Sequence, residues 1–184
     1  MAIDFTEADP LAADKTIVLV GYRGTGKTTV ARALADRLDY DWADADDLVE
    51  QYAGQTIAEI FAQFGEDDFR AREAVVVAEL CRRPRTVVAT GGGAVLRETN
   101  RQRMMACDAV VWLTATPETI AGRLATDSST ASRRPDLTRQ GGWIEIETLL
   151  RQRESIYREC ATFAVDTEGK DPAEIVEEIV ANLK

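Results

Sequence analysis

Gly21-Tyr22-Arg23-Gly24-Thr25-Gly26-Lys27-Thr28 is the stretch whose reading decides the fold. It fits G-x-x-x-x-G-K-[ST], the phosphate-binding P-loop pattern. Ahead of it, Thr16-Ile17-Val18-Leu19-Val20 is a β-branched apolar run, which predicts a buried parallel strand. Behind it, Val30, Ala31, Leu34, Ala35 and Leu38 recur at helical spacing. A strand, a glycine-rich turn and a helix are the context in which this pattern has a mechanism. The glycines let successive backbone N–H groups converge on a phosphate, and the helix adds its positive end. Lys27 places a point charge at the β- and γ-phosphates, and the Thr28 hydroxyl suits Mg²⁺. The loop alone points to a nucleoside triphosphate and leaves kinase, ATPase and switch open.

At 184 residues and 45% hydrophobic content the chain suits one domain with its own core. It has no run of 18 apolar residues, so no membrane span is expected. Residues 1–15 read as a flexible acidic leader: Asp4, Glu7, Asp9 and Asp14 precede its first basic residue, unlike a secretory or transit peptide. Net charge is −10 with no basic stripe, which argues against nucleic acid as a partner. The 22 cations are four lysines and eighteen arginines, and arginine suits bidentate grips on carboxylate and phosphate. Histidine is absent, which removes a histidine base, a Ser-His-Asp triad and His-ligated metals; any general base is a carboxylate or water. Cys81, Cys107 and Cys160 have neither metal-ligand spacing nor a disulfide framework, and read as small buried hydrophobes.

A second strand over Tyr40–Ala43 runs into Asp44-Ala45-Asp46-Asp47. With strand geometry Asp44 and Asp46 point the same way, into the ligand crevice at the carboxyl end of the sheet. The other reading is a helix N-cap followed by dipole-favoured acids. Thr56-Ile57-Ala58-Glu59 is a capping box, and Gly65-Glu66 breaks the helix it opens. A longer helix then carries Arg70 and Glu73 on one face, by default a surface ion pair. A third strand ends in Gly91-Gly92-Gly93, either a close backbone approach to a ligand or an ordinary turn. A fourth strand, Asp108–Leu113, precedes a helix opened by Thr116-Pro117 and carrying Arg123. The polar stretch near 127–142, with Arg133-Arg134-Pro135, is lid-like in length and composition. A helix from Trp143 to Cys160, a fifth strand Phe163–Asp166 and a last helix from Asp171-Pro172 complete the chain. Five strands alternating with helices predict an α/β fold: one parallel sheet with helices on both faces.

In combination these motifs resemble the shikimate kinases, a family of P-loop small-molecule kinases related to nucleoside monophosphate kinases. The resemblance runs from Thr16 to Lys184. It rests on Gly-Tyr-Arg-Gly-Thr-Gly-Lys-Thr, Asp44-x-Asp46, Phe69-Arg70-x-Arg72-Glu73, Gly91-Gly92-Gly93, Arg134-Pro135 and Arg153, in this order. It implies a three-layer α/β/α fold with strand order 2-3-1-4-5 and a mobile lid. It further implies transfer of the ATP γ-phosphoryl group to the 3-hydroxyl of shikimate, in the cytoplasmic route to aromatic amino acids. By that resemblance Gly24, Thr25, Gly26, Lys27, Thr28 and Thr29 hold nucleotide, and Arg123 and Lys170 fall at the adenine. Thr28 and Asp44 hold Mg²⁺, Asp44 through water. Asp46 hydrogen-bonds the acceptor and serves as base, Arg70 and Arg153 grip its carboxylate, and Gly91, Gly92 and Gly93 approach it. Arg134 is the lid arginine, with Arg133 one register away. Lys170 stands where an arginine is often found, and the leader has no counterpart in the family pattern.

The expected partner is therefore shikimate, with no nucleic acid and no membrane, and the chain is expected to act as a monomer over a single domain, 16–184. A gluconate kinase of the same architecture is the alternative enzyme, and the Phe-Arg-x-Arg-Glu and triple-glycine pair favours shikimate over it. A nucleotide switch without kinase activity is the alternative of another class, and the full set of charged positions argues against it.

Overall fold

The structure is a computed structural model, and it describes residues 15–126 and 142–183. β1 (Thr16–Val20) leads through the P-loop into α1 (Lys27–Leu38). Then follow β2 (Asp41–Asp44), α2 (Ala45–Ala53), α3 (Ile57–Leu80) and β3 (Thr86–Ala89). A single 3₁₀ turn, Ala94–Leu96, precedes α4 (Glu98–Met105), β4 (Ala109–Thr114) and α5 (Pro117–Thr126). After the undescribed stretch come α6 (Gly142–Cys160), β5 (Phe163–Asp166) and α7 (Pro172–Asn182). The leader apart from Lys15, and the lid segment apart from Gly142, which already belongs to α6, lie outside the described residues, Arg133 and Arg134 among them.

The five strands form one parallel sheet in the order β2-β3-β1-β4-β5, as the resemblance implies. β1 sits at its centre, with Ile17 facing Val87 of β3 and Ala109 of β4. All five residues of β1 are buried, which explains why the run is continuously apolar rather than alternating. The period of two still sorts its side chains. Ile17 and Leu19 pack with Leu34 of α1 and Ile179 of α7 on one face. Val18 and Val20 pack with Ile60 and Val77 of α3, Met104 of α4 and Tyr157 of α6 on the other. Because every pairing is parallel, all strand C-termini lie along one edge. The P-loop, the start of α2, the triple glycine and Thr167 all leave from that edge, where an open α/β sheet binds its ligands.

Two expectations are refined. β2 ends at Asp44, and Asp44 also caps α2: its Oδ1 accepts the Asp46 N–H at 2.9 Å. Asp46 is thus in the first turn of a helix rather than on the strand, because the side chain of Asp44 satisfies an orphan donor of that turn. The predicted break at Gly65 is present as a kink at φ 82° and ψ 178°, inside an otherwise continuous α3. The Thr56–Glu59 capping box that opens α3 closes in both directions.

Candidate active site

α1 begins at Lys27 without any side-chain cap, so the N–H groups of its first turn keep their capacity for an anion. Lys27 is buried, and its Nζ donates to the carbonyls of Gly21 and Tyr22 at 2.8 and 2.7 Å. The ammonium is therefore held over the loop by the loop's own backbone. Thr25 is folded inward, its hydroxyl donating to Tyr22 O at 2.8 Å. Thr28 and Thr29 remain exposed on the open side. The Thr28 hydroxyl donates to Asp44 Oδ2 at 2.7 Å.

Gly24, Gly26, Lys27, Thr28, Thr29, Asp44, Asp46, Gly92 and Arg123 line a single cleft of about 300 Å³. The N-capping geometry that moved Asp46 onto a helix does not remove it from the site. Burial and the neighbouring Asp46 carboxylate push the pKa of Asp44 up, while the hydrogen bond from Thr28 pulls it down. A cation beside this pair would relieve that repulsion. A hydroxyl and a carboxylate are hard oxygen donors of the kind Mg²⁺ takes, and the donor set fits that ion. Among the described residues no group of three or more His, Cys, Asp or Glu side chains could hold a metal unaided. An ion here would draw its remaining ligands from phosphate and water, which is the usual habit of Mg²⁺.

The triple glycine lies against the P-loop. A Cβ on Gly92 would come within 3.2 Å of Arg23 N and 3.3 Å of Gly21 O. A Cβ on Gly93 would lie 2.4 Å from Arg70 Nη2, so the guanidinium can occupy this position only over a glycine. Gly91 O accepts the Ala94 N–H at 3.0 Å and closes the turn. Arg70 is no surface ion pair. Its Nη1 meets Glu73 Oε2 at 2.9 Å, Glu73 is fully buried, and the Arg70 side chain is only 13% exposed. Burial works against the Arg70 charge, but Glu73 and Glu66 more than offset it and the pKa is held up. From α6, Arg153 is buried and its Nη1 lies 3.4 Å from Gly92 O, which also accepts the Tyr157 hydroxyl at 2.5 Å. Two guanidinium groups from distant helices therefore border adjacent glycines beside the phosphate loop.

Arg123 donates to Gly24 O at 3.3 Å and to Thr167 O at 2.9 Å, tying α5 to the P-loop and to the end of β5. Lys170 is not among the residues that line the cleft; its Nζ lies 2.5 Å from Glu178 Oε2 on α7. The structure also brings in residues that the motifs did not single out. Arg23 lines the cleft and pairs at 3.2 Å with Glu145, whose side chain is fully buried at the start of α6. Thr90 lines the same cleft and donates its hydroxyl to Leu19 O at 2.9 Å. Arg23 sits inside the P-loop pattern at a position where any residue is allowed, so nothing local marks it. Its partner is 122 positions away.

A central parallel sheet with an uncapped glycine-rich loop, a buried lysine and a Thr–Asp pair defines a P-loop nucleotide-binding protein. The shikimate kinase family model matches residues 23–184. The chain is 43% identical over 164 residues to a shikimate kinase of Rhodopirellula baltica, covering 89% of this chain and 88% of that one. It is 42% identical over 168 residues to a shikimate kinase of Symbiobacterium thermophilum, covering 91% and 95%. A solved shikimate kinase from Acinetobacter baumannii, in complex with shikimate, superposes with a TM-score of 0.86 at 36% identity, covering 92% of each chain. The chain belongs to the shikimate kinase family, whose members are ATP-dependent kinases with an alcohol acceptor. A gluconokinase from Sinorhizobium meliloti, at a TM-score of 0.59 and 24% identity over 92% of this chain and 91% of that one, shares the fold.

Proposed function

We propose that this chain transfers the γ-phosphoryl group of ATP to the 3-hydroxyl of shikimate, giving shikimate 3-phosphate and ADP, as a cytoplasmic monomer on the route to chorismate. The observation that carries this reading is the convergence of Arg70 and Arg153 on Gly92 and Gly93, beside the cleft that holds Lys27 and Asp46. Two guanidinium groups suit a carboxylate, and the glycines let the P-loop backbone and the Arg70 guanidinium pack close against this turn.

In this reading the loop N–H groups and Lys27 hold the triphosphate, and Arg123 with Lys170 borders the adenine. Asp46 accepts a hydrogen bond from the acceptor hydroxyl and takes its proton as the phosphoryl group leaves. Thr28 and Asp44 hold Mg²⁺, which when bound neutralises charge on the β- and γ-phosphoryl oxygens. Arg134, on a lid near 127–142, adds charge to the moving phosphoryl group. Phosphoryl transfer needs positioning and charge more than a strong base, so a chain without histidine is adequate. The leader, 1–15, stands outside the domain 16–184, and neither nucleic acid nor membrane is a partner. Among the described residues no helix is long and apolar enough to cross a membrane.

Phosphorus–proton correlation NMR of the product tests the reaction: coupling of the new phosphate to the proton on C3 is expected, and coupling at another ring carbon contradicts the acceptor geometry. The two carboxylates should separate in a Mg²⁺ titration. Asp44→Asn should raise the Mg²⁺ needed for half-maximal rate, whereas Asp46→Asn should lower kcat and weaken acceptor binding. Since the Asp44 pKa is raised, the wild-type Mg²⁺ requirement should increase as pH falls toward it, a trend Asp44→Asn should flatten. Identical curves for the two variants would mean one shared role. Arg134→Ala should reduce kcat more than it weakens ADP binding, and Arg133→Ala should do much less; the reverse order would shift the lid register by one residue.

A further inference from the structure

Three cysteines scattered through the sequence come together at the end of the sheet where the strands begin, opposite the cleft. Cys81 caps the C-terminus of α3, Cys107 lies just before β4, and Cys160 ends α6 just before β5. All three thiols are free. Cys160 is buried, 3% exposed, but Cys81 and Cys107 are each partly open to solvent. The Cys107 Sγ lies 3.7 Å from the Cys81 carbonyl oxygen and 3.5 Å from the Arg103 carbonyl oxygen, which sets the two cysteines side by side. All three pack with the hydrophobic core as expected, but only Cys160 is fully buried.

We propose that Cys81 and Cys107 form a redox-active dithiol, oxidised to an intramolecular disulfide by low-molecular-weight disulfides, with Cys107 attacking and Cys81 resolving. The surroundings favour this order. The interaction between the two neighbouring thiols lowers the Cys107 pKa against the opposing effect of burial, and raises that of Cys81 together with burial. Next to the pair, Arg82, Arg83, Arg97 and Arg103, with the one carboxylate Glu79 paired to Arg83, line a groove of about 810 Å³ between α3 and α4. In a chain of net charge −10 this is a local reversal of field, suited to an anionic disulfide such as oxidised glutathione.

The chemistry balances. The Cys107 thiolate attacks one sulfur of R–S–S–R, forming a mixed disulfide and expelling RS⁻. Cys81 loses its proton and attacks Cys107 Sγ, the mixed S–S bond breaks, and a second RS⁻ leaves. Two protein thiols are oxidised, one small disulfide is reduced, and two small thiols are released. The product closes a loop between residues 26 positions apart that contains β3, the triple glycine and α4. Such a closure is expected to raise the melting temperature by several degrees.

The test incubates the full-length reduced protein with oxidised glutathione, quenches with acid, and reads intact mass and non-reduced peptide maps. Expected are the loss of two hydrogens and a Cys81–Cys107 linked peptide, in the wild type and in Cys160→Ser alike. Cys81→Ser should stop with one glutathione on Cys107, because no resolving thiol remains. Three unmodified thiols in the wild type, under conditions that fully oxidise dithiothreitol, would overturn the proposal, as would a crosslink that includes Cys160. Glutathione landing on Cys81 in Cys107→Ser as fast as on Cys107 in Cys81→Ser would contradict the order of attack. The wild-type peptide map needs no variant, so a substitution that disturbed folding would not blunt the test.

Discussion

Lys27→Met is expected to lower kcat by a factor on the order of 10²–10³, the loss measured when one well-placed electrostatic stabiliser is removed from a transition state. Lys27 Nζ is held by two carbonyls of the loop, those of Gly21 and Tyr22, so its position does not depend on a mobile partner. It is also buried, and a charge in a water-poor site acts more strongly on developing phosphoryl charge than an exposed one. Methionine keeps the length and apolar stem of the side chain and removes the charge. The two carbonyls then lose a donor, which costs about 1–3 kcal/mol of stability if water does not replace it. A urea titration beside the kinetics separates that effect from the catalytic one. ADP should still bind, since the uncapped N–H groups of α1 and its positive end remain. Near-normal turnover in a folded Lys27→Met protein would remove the loop from the chemistry.

The second large effect concerns acceptor choice. Arg70→Ala is expected to lower kcat/KM for shikimate by roughly 30-fold to several thousand-fold, the equivalent of about 2–5 kcal/mol for truncating one partner of a desolvated charge pair. The structure makes the upper part of that range reasonable. Arg70 is mostly buried against a fully buried Glu73 and lies over Gly93, so its fork is pre-aimed rather than solvated. Arg70→Lys should lose much of the same factor, because an ammonium cannot reproduce two parallel hydrogen bonds to a carboxylate. Removing Arg70 also leaves Glu73 buried without this partner, and a stability loss alone could mimic a kinetic one. A four-corner cycle distinguishes them: wild type and Arg70→Ala, each with shikimate and with its neutral amide analogue. Shikimate should lose far more than the amide on mutation, since the amide never used the charged grip. Equal losses on both acceptors would return Arg70 to a purely structural ion pair.

How much of this was legible in the sequence depends on whether the signal is local. β1, the P-loop and α1 are written in consecutive residues, and so are the Thr56 capping box and the break at Gly65. The start of α2 shows the limit. Asp44-Ala45-Asp46-Asp47 is compatible with both a strand end and a capped helix, and only the hydrogen bond from Asp46 N to Asp44 Oδ1 decides between them. Gly91-Gly92-Gly93 signalled a close approach, but not that the approaching groups include the Arg70 guanidinium and the P-loop backbone. Arg23 and Glu145 carry no periodic or motif signature, because their pairing depends on how α6 returns to the loop. The closeness of Cys81 and Cys107 was not legible for a related reason: separation along the chain says nothing about a parallel sheet, which returns every strand start to the same edge.

The most direct measurement is ADP release by the purified chain with Mg²⁺-ATP, coupled to a spectrophotometric readout, with shikimate, quinate, gluconate or no acceptor. Expected is rapid release that depends on shikimate, little release with gluconate, and almost none without acceptor. Slow release that ignores the acceptor would mean a nucleotide-hydrolysing switch, and a rate with gluconate equal to or above that with shikimate would mean that the two arginines serve an open-chain carboxylate instead.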